Sequence, residues 1–248
     1  MSLKTLFGIL AMFAALALVQ TAAAQDGPAD PNAPAMRGSD EVGKPGAATP
    51  DSGALDRLAV GVRLAAIGRE TKSPYALAAA AEILSTVGAT DADRKKEKTE
   101  GGEAPAAGAQ PTAEPVTDAK ALFAEAAALA NAASNAPLAA QIEQTAAAAG
   151  SRGTVVSYAR HSDRVNPYAT DVYRVRYRGN ETARAVVEAS YGYDIDLYVY
   201  SNNGNLVVFD NDLTNIGICY WTPARTSDYF LNVKNTTSSY VSYVISTD

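Results

Sequence analysis

The sequence predicts an α+β chain, an Ala-rich helical segment followed by an antiparallel β-sandwich. Three observations carry that expectation. Alanine crowds the first part, with 16 Ala among the 34 residues Thr117–Gly150. Tyrosine crowds the second, with 12 of the chain's 13 Tyr after residue 150. The apolar spacing changes there too, from one residue in three or four to every second residue.

The first element is a leader. Lys4 supplies a positive start, Leu6 to Val19 form an apolar run, and Ala22-x-Ala24 fits a signal-peptidase site, so residues 1–24 are expected to be cleaved before Gln25. The run of 14 residues is short of the ~20 that span a bilayer, and no second long apolar run follows. The mature chain is therefore expected to be exported, periplasmic or extracellular, and not membrane-spanning. Residues 25–52, rich in Pro, Gly, Ala and Asp, read as a disordered tether.

Residues 53–150 read as helical. Leu55, Leu58, Val62, Ala65 and Ala66 recur at helical spacing, with Gly68 placed to stop the turn. Ser73–Pro74 reads as an N-cap and N1 proline, and Leu77, Ala80, Ala81, Leu84 and Val87 as one face, closed by Gly88. A charge run from Asp91 to Lys98, then Pro105, Pro111 and Pro115, reads as a flexible linker over 91–116. Thr117 is placed to cap a third helix bearing Leu122, Phe123, Ala126 and Leu129. Asn135–Ala136–Pro137 separates it from a fourth that ends at Gly150. The pairs look loosely like helical repeats, but no repeat motif is defined.

Residues 153–248 alternate with period two. The expected strands are 154–159, 171–177, 183–190, 193–200, 205–210, 216–221, 229–234 and 241–246, with Asn203–Gly204 as a hairpin turn. Short strands with turns every 8–12 positions indicate a sandwich. Within it stand Asp171–Val172–Tyr173–Arg174–Val175, then the D-x-D-L-Y-x-Y strand Asp194 to Tyr200, then Asn203–Gly204, and last Asp228–Tyr229–Phe230–Leu231–Asn232–Val233. This succession resembles the bacterial pre-peptidase C-terminal (PPC) domain over residues 153–248. The resemblance implies a jelly-roll-like sandwich that is not itself catalytic. It also implies a module that serves secreted peptidases in substrate contact, localisation or secretion, with some relatives binding calcium. No peptidase domain is recognisable beside it.

Composition narrows the chemistry. One His and one Cys leave no zinc motif, and His161, expected at the surface, is the single imidazole base. Cys219, in an apolar stretch, is expected to be a buried hydrophobe. The net charge of −6 argues against a nucleic-acid partner. No catalytic residues and no required cofactor are expected. Asp194, Asp196, Asp210, Asn211 and Asp212 are the candidate ligands for Ca2+, since hard oxygens at two strand ends suit that ion. Tyr198 and Tyr200 share a strand face, and Arg174, Arg176 and Arg178 share another, so these five are the candidate ligand-binding residues. The expected function is an exported, non-enzymatic binding or assembly module whose Tyr/Asp-rich sandwich surface contacts an extracytoplasmic protein or polysaccharide. The alternative is an accessory, maturation or secretion factor for a secreted hydrolase. The sequence leaves the oligomeric state open.

Overall fold

The computed structural model describes residues 50–115, 118–150 and 156–248. The leader and all but the last of the tether lie outside them. Helix α1 is Pro50–Glu70, α2 Pro74–Leu84, α3 Ala119–Ala132 and α4 Ala136–Gly150. Ser73 caps α2, its Oγ accepting the Ala76 N–H at 3.2 Å, and Pro74 needs no amide partner at the first position. Asp118 caps α3, accepting the Lys120 N–H at 2.6 Å. Thr117, expected there, lies outside the described residues. Leu55, Leu58, Val62, Leu77, Leu84, Leu122 and Ile142 form a thin helical core. Its thinness suits small residues. A Cβ at Gly61 would lie 2.6 Å from the Leu84 side chain, so α1 and α2 approach closely only because Gly61 has none.

The strands are β1 Val87–Asp91, β2 Lys96–Gly101, β3 Val156–Val165, β4 Ala169–Tyr177, β5 Ala183–Ala189, β6 Ile195–Ser201, β7 Leu206–Asp210, β8 Ile216–Trp221, β9 Ser227–Asn235 and β10 Val241–Thr247. They make two five-stranded sheets, β1-β3-β10-β5-β8 and β2-β4-β9-β6-β7. All pairings are antiparallel except β1 with β3. The sheets face each other across Val175, Val187, Leu197, Val199, Leu231, Val233, Tyr243 and Ile245. Trp221 closes one end, edge-on to Tyr177 at 4.6 Å. Cys219 is fully buried there, as expected for a small hydrophobe.

Several details differ from the sequence reading. Helix α1 begins at Pro50, inside the stretch read as tether, and runs through Gly68, the expected stop, to Glu70. The stretch read as a flexible linker contains β2 and the end of β1, and these strands supply one edge of each sheet. Pairing across the β4 edge (Thr99 to Asp171, Glu100 to Thr170) outweighs the poor strand propensity of a charged run. Helix α2 stops at Leu84, and Gly88 sits inside β1. Strand β3 continues to Val165 through a polar stretch, because His161 and Asp163 lie in phase with Val165 and meet polar partners between the sheets.

Helix α1 lies on the outer face of the first sheet, packing on β1, β3, β5 and β8. Tyr158, Val186, Ile216 and Ile218 join the helical core there. Arg184, buried on β5, fastens the contact by pairing with Asp56 of α1 at 2.7 Å. No helix among the described residues is long and apolar enough to cross a membrane.

Candidate functional site: the open face of the second sheet

The alternation of β4 fixes what the second sheet shows. Tyr173, Val175 and Tyr177 point inward and are buried, while Arg174 and Arg176 point outward and are exposed, with Arg178 just beyond the strand. Register then lines the outer face in rows. Arg174 lies opposite Phe230, which lies opposite Tyr200. Val172, Asn232, Tyr198 and Phe209 make the next row. Lys234 and Asp196 face each other in the third.

Three carboxylates face the three arginines, at long distances. Asp228 serves Arg174 at 3.6 Å and Arg176 at 3.3 Å, with Glu97 adding a second contact to Arg174 at 3.6 Å. Arg178 meets Glu181 at 3.9 Å. Such exposed, long pairs contribute little stability, and the guanidinium groups stay largely in solvent. Arg176 and Arg178 border a recess of about 210 Å3, whose wall includes Glu181, Thr182 and Asp248.

The two tyrosines part company. Tyr200 is half-buried beside Phe230. Tyr198 is buried, its ring stacked on Phe209 at 5.8 Å and lying 5.8 Å from the Lys234 ammonium. The face is thus closed at Tyr198 and open at Tyr200. Two partners from neighbouring strands, Phe209 on β7 and Lys234 on β9, contribute to this, and period two within β6 does not reveal them.

The carboxylates are spread over separate uses. Thr236 Oγ1 donates to Asp194, and Tyr198 OH donates to Asp196 at 3.3 Å. Asp210 accepts the Ile218 N–H at 2.8 Å and pairs with Arg63 at 3.4 Å. Asp212 accepts Thr214 Oγ1 at 2.5 Å. Asn211 is half-buried between them in sequence. Burial pushes Asp196 up to about 7, and the neighbouring Asp194 adds to the shift. Burial likewise raises Asp194 and Asp210. Among the described residues no three His, Cys, Asp or Glu side chains are gathered to hold a metal ion.

A partly buried polar network is not legible in the sequence. Lys96 Nζ donates to the Arg164 carbonyl at 3.0 Å and lies 3.1 Å from both Asp163 and Asp171. Tyr173 OH donates to Asp163 and Tyr243 OH to Asp171, each at 2.8 Å, and Thr99 Oγ1 donates to Asp171 at 2.6 Å. His161, expected at the surface, is partly buried. It lies edge-on to Tyr173, with Nε2 3.5 Å from Asp163 and Nδ1 3.0 Å from the Ala92 carbonyl. The available signal is phase: Asp163 shares a strand face with Val165, and Asp171 with Tyr173. Burial opposes charge on Lys96, but Asp171 and Asp163 outweigh it and raise the ammonium. Burial also raises the phenols of Tyr173 and Tyr243. A charged lysine and protonated tyrosines are the reverse of an activated base or nucleophile. The network ties β2 to the sandwich.

No protein-family model matches the chain, and no curated protein matches it. Among solved structures the chain is similar to the pre-peptidase C-terminal domain of a collagenase from Bacillus anthracis, at 16% identity and a TM-score of 0.30, covering 35% of this chain and 87% of that one. At that score the likeness has no bearing on function.

Proposed function

We propose that this chain is an exported, non-catalytic binding module that contacts an extracytoplasmic protein or polysaccharide through the open face of its second sheet. On this reading residues 153–248, with the order of motifs of a PPC domain, are the binding part. The leader read in residues 1–24 supports export. One observation carries the reading: the two outer faces are unequal. Helix α1 covers the first, whereas the second presents Arg174, Arg176 and Arg178 exposed and Tyr200 and Phe230 half-exposed. Aromatic rings beside guanidinium groups are the residues that dominate contact surfaces.

The test is a panel of immobilised extracellular proteins and polysaccharides probed with the mature chain. Tyr200→Ala/Phe230→Ala is expected to lose whatever binding is found, at least tenfold. Val60→Ala/Ile67→Ala, on the solvent side of α1, should keep it. Equal loss in both variants, or in neither, would remove the open face as the contact surface.

A further inference from the structure

We propose that the partner of this face is a polyanionic polysaccharide, a chain of carboxylate-bearing sugars held by Arg174, Arg176 and Arg178 with Tyr200 and Phe230 against the sugar rings. The proposal rests on the reading of the open face as a contact surface and names its ligand class.

Charge is the first argument. The chain as a whole carries −6, yet one end of one sheet face gathers three guanidinium groups. Their side chains are 56%, 68% and 80% exposed, rising along the row from Arg174 to Arg178. The acids beside them are Glu97, Asp228 and Glu181, at 3.3–3.9 Å, and Asp228 is divided between two arginines. Asp248, at the recess wall, is already taken by Arg184 at 3.6 Å. An incoming carboxylate can therefore form a bidentate contact with a guanidinium that surface pairing leaves mostly solvated.

Spacing is the second argument. Alternate residues of a strand lie about 6.8 Å apart, so Arg174 and Arg176, with Arg178 just past the strand end, form a ladder of charge. A ladder suits a ligand whose negative charge also repeats. The recess beside Arg176 and Arg178, about 210 Å3, leaves room for a substituent at the end of the row.

Shape separates a polysaccharide from an acidic peptide. An extended peptide gains most by adding to a sheet edge, where free backbone groups await it. The arginines stand on a face, where backbone groups are already paired between strands. On a face, binding must come from side chains: guanidinium groups for charge, and the half-exposed rings of Tyr200 and Phe230 for apolar sugar surfaces.

The experiment uses the mature chain with polygalacturonate, neutral dextran of similar length, and poly-glutamate, by calorimetry at 50 and 300 mM salt. Melts confirm that each variant is folded, as exposed arginines should allow. Polygalacturonate is expected to bind at low salt, to weaken at least tenfold at 300 mM, and to lose at least tenfold in Arg176→Ala/Arg178→Ala. Tyr200→Ala/Phe230→Ala should likewise weaken polygalacturonate at least tenfold, whereas binding of poly-glutamate by charge alone would be insensitive to it. No binding of polygalacturonate at 50 mM salt would overturn the proposal, as would binding that the arginine variant leaves intact. Poly-glutamate binding as tightly as polygalacturonate would also overturn it and name an acidic polypeptide instead. Dextran or a protein bound in a manner lost with Tyr200→Ala/Phe230→Ala would overturn the polyanion while leaving the open face as the contact surface.

Discussion

The two outer faces of the sandwich are made from the same alternation and end differently. On the first sheet, outward Tyr158, Val186, Ile216 and Ile218 are apolar, and α1 lies over them. On the second, outward Arg174, Arg176, Tyr200 and Phe230 stay in contact with solvent. One face thus contributes hydrophobic burial and the other keeps polar and aromatic groups in contact with solvent. A sandwich alone needs only its inner faces. Cover on that outer face leaves β5 and β10 buried along their whole length, even at the outward polar positions Arg184, Glu188, Ser242 and Ser246.

The largest effect should come from removing the cover. Residues 153–248 on their own expose Tyr158, Val186, Ile216 and Ile218 and lose both edge strands, β1 and β2. The fragment is expected to melt more than roughly 15 °C below the full chain, or without cooperativity, and to bind a hydrophobic dye. A cooperative melt within a few degrees of the full chain would show that helices and edge strands are appendages. Residues 153–248 would then be a domain in their own right.

A single substitution on each face sharpens the contrast. Ile218→Ala, under α1, should cost about 2–5 kcal/mol, the range for a buried aliphatic truncation. Phe230→Ala, on the open face, should cost less, about 1–2 kcal/mol, because the ring is only partly buried. Denaturant unfolding of both variants measures the pair. Equal costs would mean that something in solution covers the open face as α1 covers the other.

What was legible follows the same division. The eight strands after residue 150 were readable because each core face alternates within one strand: Ile195, Leu197 and Val199 are inward in β6 whatever lies beside them. The hairpin was readable because Gly204 adopts φ +80, which other residues avoid. Strand β2 was not readable, since its residues are mostly exposed and its reason for being extended is the β4 edge, 70 residues onward. The same holds for the Lys96 network, whose members come from β2, β3, β4 and β10. On the candidate site, the outward phase of the arginines was legible. The burial of Tyr198 was not, because Phe209 and Lys234 reach it from two other strands.

The smallest effect concerns the carboxylate end of the open face, and it is a matter of pH. Asp196 is buried, with Asp194 close by, and its pKa stands at about 7 in the folded chain. In the unfolded chain an aspartate titrates near about 4. Between those values the folded state holds a proton that the unfolded state has released, so stability falls as pH rises from about 4 to about 7. Asn at this position mimics the protonated acid at every pH. Asp196→Asn should therefore match the wild type at pH 4 and exceed it at pH 8, by roughly 1–3 kcal/mol. A residual slope of the same sign should remain from Asp194, Asp210 and Asp248, all raised by burial. Asp163 works the other way. Burial pushes it up, but the Arg164 N–H, the Tyr173 hydroxyl and Lys96 outweigh burial and lower it, so its contribution is lost only in strong acid. Millimolar calcium at pH 8 adds the decisive arm. Asp194, Asp210 and Asp212 already accept from Thr236, Ile218 and Thr214, and Arg63 lies against Asp210, so calcium should move the melt by no more than about 2 °C. A rise near ten degrees in the wild type, absent in Asp196→Asn, would mean that the ion draws these carboxylates together, and that the face closes at this end by metal binding and not by a proton.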